Sequence, residues 1–157
     1  MIRIATSNKT PRYSIPTEAL GIAMDIDVKE KFGSYPADAR KLLLEIRGAI
    51  ITTAAQEGVD NLIETLKWGE PSYIAKKGST VRIDWKPKNP DKVSIFFSCK
   101  TNLIETFREI YGDRIKTVGN REIEIPISAF PPMPELRACL SMALRYHTIK
   151  HLPLLGA

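Results

Sequence analysis

The spacing of apolar and polar residues changes its period several times along the chain. Over residues 36–56, apolar side chains recur every three or four positions, which predicts a long helix that ends before Gly58. Its apolar stripe should face a core, while Lys41, Glu45 and Arg47 point away from that stripe. The stripe consists of Ala39, Leu42, Leu43, Ile46, Ala49 and Ile50.

A period of two follows this helix and is typical of strands with one buried face. The predicted strands are residues 71–77, 79–86, 93–100, 114–118 and 121–126. Shorter helices are predicted over residues 28–32 and 102–111 and from Pro134 onward, where proline suits the first helical turn. Helix, meander, helix, hairpin and helix in that order predict an α+β domain. We expect a mainly antiparallel sheet of about five strands with helices packed on one face.

Residues 24–157 are predicted to form a single domain. Residues 1–23 lack sustained periodicity and contain Pro11, Pro16 and Gly21, so we expect a poorly ordered N-terminal extension there. No apolar run approaches the roughly 20 residues that a membrane-spanning helix needs. The chain does not show the basic segment followed by an apolar one that indicates secretion. We therefore expect a cytoplasmic protein without a membrane partner.

Composition adds little to this picture, because 43% hydrophobic and 26% charged residues are ordinary for a globular domain. The formal net charge of +5 permits an anionic partner without requiring one. Cys99 and Cys139 lie far apart without metal-knuckle spacing, so both thiols are expected to be free. Cys99 falls on the inward face of its predicted strand and Cys139 close to the buried side of the last helix, so both are expected to be buried.

Residues 66–73 form the most informative stretch, and we expect them to join the long helix to the first strand. Gly69 permits a sharp turn, and Pro71 disfavours helix just before it. Two interpretations remain open. The stretch is either an aromatic-clamped turn that closes one end of the core, or the rim of a pocket in which Trp68 and Tyr73 are walls and Glu70 is the polar group.

Two further sets of residues are candidate sites. His147 and His151 are four residues apart on a predicted helix, a spacing that can hold a metal but also suits a packed or surface pair. Arg82, Lys86 and Lys100 are predicted to share the outward face of the sheet. There they would form either a nucleic-acid platform or a solvated face.

No serine elbow and no glycine-rich phosphate loop occurs in the chain. We therefore expect a protein that is not an enzyme, although Glu70 between two aromatic residues leaves a tuned acid open.

Several segments together resemble the YdhG-like domain family over about residues 28–151. These segments are Tyr35-Pro36, Lys67-Trp68-Gly69-Glu70-Pro71-Ser72-Tyr73 and Arg145-Tyr146-His147. The resemblance implies a fold related to that of frataxin, and iron as a cargo, because a family member is described as an iron chaperone. The carboxylates that could then serve are Glu57, Asp60 and Glu64, since iron prefers oxygen ligands of this kind.

The sequence therefore favours a non-catalytic module, monomeric or homodimeric, that binds a small ligand or a protein at Trp68, Glu70 and Tyr73. The alternatives are an iron carrier that uses the acidic cluster or the two histidines, and a nucleic-acid binder that uses the basic sheet face. No cofactor is expected, and iron enters only through the family resemblance.

Overall fold

A computed structural model describes the backbone of residues 2–5, 11–15 and 24–157, and the side chains of residues 24–157. Five α-helices and eight β-strands occur in this part of the chain. The strands are β1 (Ile2–Ala5), β2 (Pro11–Ile15), β3 (Leu62–Lys67), β4 (Glu70–Ile74), β5 (Val81–Asp84), β6 (Lys92–Phe96), β7 (Lys116–Val118) and β8 (Glu122–Pro126). The helices are α1 (Ile26–Ser34), α2 (Ala37–Gln56), α3 (Leu103–Tyr111), α4 (Met133–Leu144) and α5 (Tyr146–Ile149).

The strands form one sheet in the order β2-β1-β3-β4-β5-β6-β8-β7. Strands β3 to β8 pair antiparallel, and β1 lies parallel to β3. The α+β class is confirmed. The described sheet has eight strands where about five were expected, because β3 occupies the stretch expected to link the long helix to the sheet and β1 and β2 precede the predicted domain.

Two strands also lie in the segment expected to be poorly ordered. Ile2–Ala5 pairs antiparallel with Pro11–Ile15 and parallel with β3. The rest of residues 1–23 lies outside the described part of the chain. Apolar and polar residues do alternate in both strands, as in Pro11-Arg12-Tyr13-Ser14-Ile15, but the signal is only four or five residues long.

Helix α2 forms where its periodicity predicts. Pro36 is its N-cap residue and Asp38 lies in its first turn, close to the positive end of the helix dipole. The predicted stripe is buried, but Arg47, expected to point outward, is only 1% exposed. Among the described helices, none combines the length and apolar character needed to cross a bilayer.

The core lies between α2, α4 and one face of the sheet, which we call the inner face. Helix α2 packs against α4, and the two helices contact β6 and β5 respectively. Apolar side chains of the inner face meet across the strands, as Ile83 does with Ile95 and Ile95 with Ile123. These residues are at most 1% exposed, so this layer removes much apolar surface from water.

The connection from β4 to β5 docks on the C-terminal part of the chain. The backbone N–H of Ser79 donates to the carbonyl oxygen of Ala143 over 2.8 Å, and that of His147 donates to Lys77 over 2.9 Å. These bonds hold the short helix α5 beside the sheet. Side chains of α5 are thereby placed next to those of the opposite, outer face.

Candidate functional site

Trp68 and Gly69 form a two-residue β-hairpin turn between β3 and β4. Lys67 pairs with Glu70 on either side of the turn, and φ is +57° at Trp68 and +74° at Gly69. Positive φ at both central residues is the signature of a type I′ turn, which matches the twist of the flanking strands. The stretch therefore connects two strands, and the expected helix-to-strand corner is wrong.

The Trp68 side chain points into solvent, with 88% of its surface exposed. It makes no hydrogen bond, ring contact or cation–π contact with the described residues. The turn is present as expected, but the prediction that Trp68 clamps it onto the core is wrong. A ring placed in this way contributes almost nothing to packing and is available to a ligand.

Tyr73, expected to be a pocket wall, is fully buried on the inner face. Its hydroxyl donates to Glu64 over 2.8 Å, and Glu64 also accepts two hydrogen bonds from Arg47 of α2. Burial, with the Glu64 charge as a second cause, raises the pKa of Tyr73 well above its ordinary value. This cluster of three polar side chains joins α2 to β3 and β4 and lies away from any open groove.

Glu70, expected to be the polar group of the pocket, is a buried partner of two basic side chains. Its carboxylate lies 3.1 Å from Arg82 and 3.0 Å from Lys86. Lys86 also contacts Asp84 over 2.7 Å, and Asp84 accepts a 2.6 Å hydrogen bond from the Tyr35 hydroxyl. Trp68, Glu70 and Tyr73 therefore do not line one groove, because their side chains have three different environments.

An open depression of about 580 Å³ lies beside Trp68 on the outer face. Its walls come from the β3–β4 turn, the β4–β5 connection, strand β5, the segment after β6, the residue before β8, and helix α5. We call it the basic depression. Its charged, histidine and tryptophan side chains are Lys67, Trp68, Arg82, Lys100, Arg121, His147 and Lys150.

The basic depression has five Lys or Arg side chains and no carboxylate among its described lining residues. Only Arg82 is ion-paired, with Glu70, and its guanidinium also lies 5.7 Å from the ring centroid of Phe96. The other four make no ion pair with a described carboxylate. Several like charges around one concavity produce a positive potential that an anion would relieve.

The two cysteines have opposite environments. Cys139 is buried in α4, and burial raises the pKa of its thiol to about 12. Cys99 is exposed and lines the basic depression. The expectation that Cys99 is buried is wrong, because strand β6 ends at Phe96 and the inward alternation does not continue to residue 99.

The candidate metal ligands are dispersed. Glu64 is buried against Arg47. Glu57 lies 3.1 Å from Arg145 and, like Asp60, lines a separate cavity of about 480 Å³. His147 lines the basic depression, whereas His151 follows α5, which ends at Ile149. The described residues contain no group of three His, Cys, Asp or Glu that could hold a metal ion.

The candidate nucleic-acid residues are partly brought together. Arg82 and Lys100 line the basic depression, but Lys86 lies outside it and is held by Glu70 and Asp84. Those two carboxylates raise the pKa of Lys86, with the Asp84 hydrogen bond as the largest cause. Lys86 therefore has two carboxylate partners, whereas Arg82 has one.

Sequence reasoning missed Lys67, Arg121 and Lys150. Arg121 reaches the depression because β8 pairs with β6, and its carbonyl oxygen accepts a 2.7 Å hydrogen bond from the Phe97 N–H. Lys150 follows α5, which the β4–β5 connection holds in place. Both placements depend on contacts between distant parts of the chain, and only the charge of Lys67 next to Trp68 was visible as a local signal.

Comparisons with protein-family models, with curated proteins and with solved structures gave no match to this chain. The resemblance to the YdhG-like family, which depends on short motifs around Trp68, therefore stays a prediction.

Proposed function

We propose that this protein is a non-catalytic binding module whose ligand is a multiply charged anion held in the basic depression. The observation that carries the proposal is the convergence of Lys67, Lys100, Arg121 and Lys150, none of them paired with a described carboxylate, beside an exposed Trp68. The proposal keeps the binding-module interpretation of the sequence. It moves the ligand site from Glu70 and Tyr73 to the basic depression, which Trp68 also lines.

Charge distribution on the outer face supports this choice of ligand. The described carboxylates of that face are already neutralised, as Glu70 is by Arg82 and Lys86. Lys92 likewise lies 2.7 Å from both Glu122 and Glu124. The cations of the basic depression other than Arg82 lack such a partner among the described carboxylates, and phosphate oxygens are among the acceptors with which Arg and Lys form strong, charge-assisted hydrogen bonds.

The backbone around the depression is suited to hold a ligand without large rearrangement. Arg82 is fixed by Glu70 and by Phe96, and the α5 wall is fixed by the His147–Lys77 hydrogen bond. Lys67, Lys100 and Lys150 have exposed, flexible side chains that can adjust to a ligand. A site of this kind binds by charge and adapts to ligands of different shape.

Calorimetric titration with inorganic tripolyphosphate at low salt tests the proposal. We expect the unaltered protein to bind tripolyphosphate. The double variant Arg121→Gln/Lys150→Gln should bind it with an affinity that is lower by about tenfold or more. The control is Lys88→Gln/Arg137→Gln, which removes the same charge from exposed residues outside the depression. Equal weakening in both double variants would show that tripolyphosphate responds to net charge alone and would overturn the proposal.

A further inference from the structure

We infer that the anion held in the basic depression is a single-stranded nucleic acid, with one base stacked on the Trp68 indole. This inference rests on the proposed function and adds the class of ligand. Its basis is that an unpartnered aromatic face and unpaired cations border the same open concavity.

The conformation of Trp68 is the first reason. A bulky side chain at positive φ is strained, and the first central position of a type I′ turn normally holds Asn, Asp or Gly. The strain is not compensated by packing, since the ring is 88% exposed. A residue that neither suits its backbone nor supports the core is best explained by a contact with something outside the chain.

The arrangement of charges around the ring is the second reason. Lys67 is its neighbour in sequence, whereas Arg121 and Lys150 come from separate elements of the same depression. A polynucleotide supplies a phosphate at each step and a flat base between them, so it can satisfy separated cations and a ring together. A small inorganic anion would use the cations but leave the indole without a partner.

The openness of the site favours a single strand over a duplex. The aromatic group stands on a turn at the edge of a concavity in a sheet face, as in platforms where unstacked bases meet exposed rings. In a duplex the flat faces of the bases are stacked on one another, and Trp68 could not reach them. Ser98 also lines the depression, and its hydroxyl, which accepts from the Lys100 N–H, can donate its own hydrogen to a phosphate without selecting a base.

Fluorescence anisotropy with a labelled oligothymidylate tests the inference, in parallel with tripolyphosphate calorimetry. The informative variant is Trp68→Asn, because asparagine suits the turn and preserves the fold. Trp85→Phe is the matched control. Trp85 is half-buried, lies outside the basic depression, and donates its indole N–H to the carbonyl oxygen of Pro90 over 3.0 Å.

We expect Trp68→Asn to weaken oligothymidylate binding by about fivefold or more and to leave tripolyphosphate binding unchanged. Trp85→Phe should alter neither. An unchanged oligothymidylate affinity in Trp68→Asn, or tighter binding of a duplex of equal length, would overturn the single-strand inference while the anion site stands. Failure of the unaltered protein to bind either probe would overturn both.

Discussion

Gly78 lies so close to α4 that a Cβ built on it would be 2.5 Å from the carbonyl oxygen of Leu144. The neighbouring atoms are backbone, which cannot move aside without shifting α4 or the β4–β5 connection. We therefore expect Gly78→Ala to lower the free energy of unfolding by about 1–3 kcal/mol in urea titrations. Tripolyphosphate affinity should fall as well, because the same connection fixes the α5 wall of the basic depression.

Gly48 provides the control for this change. It lies in the interior of α2, and a Cβ there would meet nothing within 4 Å. Gly48→Ala should raise the free energy of unfolding by about 0.5–1 kcal/mol, since alanine loses less backbone entropy in a helix. Equal stability of the two variants would contradict the close approach at Gly78.

The buried pair of Arg47 and Glu64 gives a second prediction. Both side chains are at most 1% exposed, and the guanidinium donates two hydrogen bonds to the carboxylate. Glu64→Gln removes the buried negative charge that faces Arg47, so the free energy of unfolding should fall by about 3–5 kcal/mol. Glu135→Gln, at a partly exposed pair with Arg114 over 3.7 Å, should cost less than about 1 kcal/mol. Similar losses of unfolding free energy at the two sites would show that the Arg47–Glu64 pair is not shielded from water.

Trp68→Asn should leave the free energy of unfolding unchanged or raise it by up to about 1 kcal/mol, measured by thermal or urea unfolding. The reason is that asparagine adopts positive φ with less strain than tryptophan, and the indole contributes no packing. Tyr73→Ala is the contrasting change at the buried ring of the same hairpin and should cost about 3–5 kcal/mol. A large loss of stability in Trp68→Asn would mean that the ring is structural.

Alkylation by iodoacetamide should distinguish the two thiols. Cys99 is exposed in the basic depression and should react in the folded protein, whereas Cys139, whose pKa is about 12, should react only after unfolding. Bound tripolyphosphate should slow the reaction of Cys99, because both occupy one concavity. Mass spectrometry of the native protein and of Cys99→Ser checks the assignment, and rapid native labelling of Cys99→Ser would contradict it.

Local periodicity was sufficient to predict most of the elements. It predicted α2 together with its buried stripe, because one helical face meets the core along its whole length. It missed β3, in which a buried Glu64 interrupts the apolar pattern. Glu64 can be buried because it pairs with Arg47, which lies seventeen residues earlier in the chain. Arg47 was predicted to lie on the outer side of α2 because it, too, is charged. Charges that neutralise one another in the core cannot be recognised from either segment alone.

Within the candidate site, only the turn at Trp68-Gly69 could be predicted from the sequence. The composition of the Trp68-Gly69 pair indicates a turn, but whether the ring packs or projects depends on backbone φ, which the sequence does not reveal. Arg121 and Lys150 reach the basic depression through strand pairing and helix docking. Such contacts form between distant parts of the chain, so their side chains could not be grouped with Arg82 and Lys100 beforehand.

The salt dependence of oligothymidylate binding is the decisive measurement for the basic depression. Each phosphate contact with a single strand contributes about 0.7 to the slope of the logarithm of affinity against the logarithm of salt concentration. We expect Arg121→Gln/Lys150→Gln to reduce the magnitude of this slope by about 1.4, twice the contribution of one contact. Lys88→Gln/Arg137→Gln should leave the slope unchanged. A slope unaltered in the first variant, or reduced equally in both, would contradict the assignment of the binding site to the basic depression.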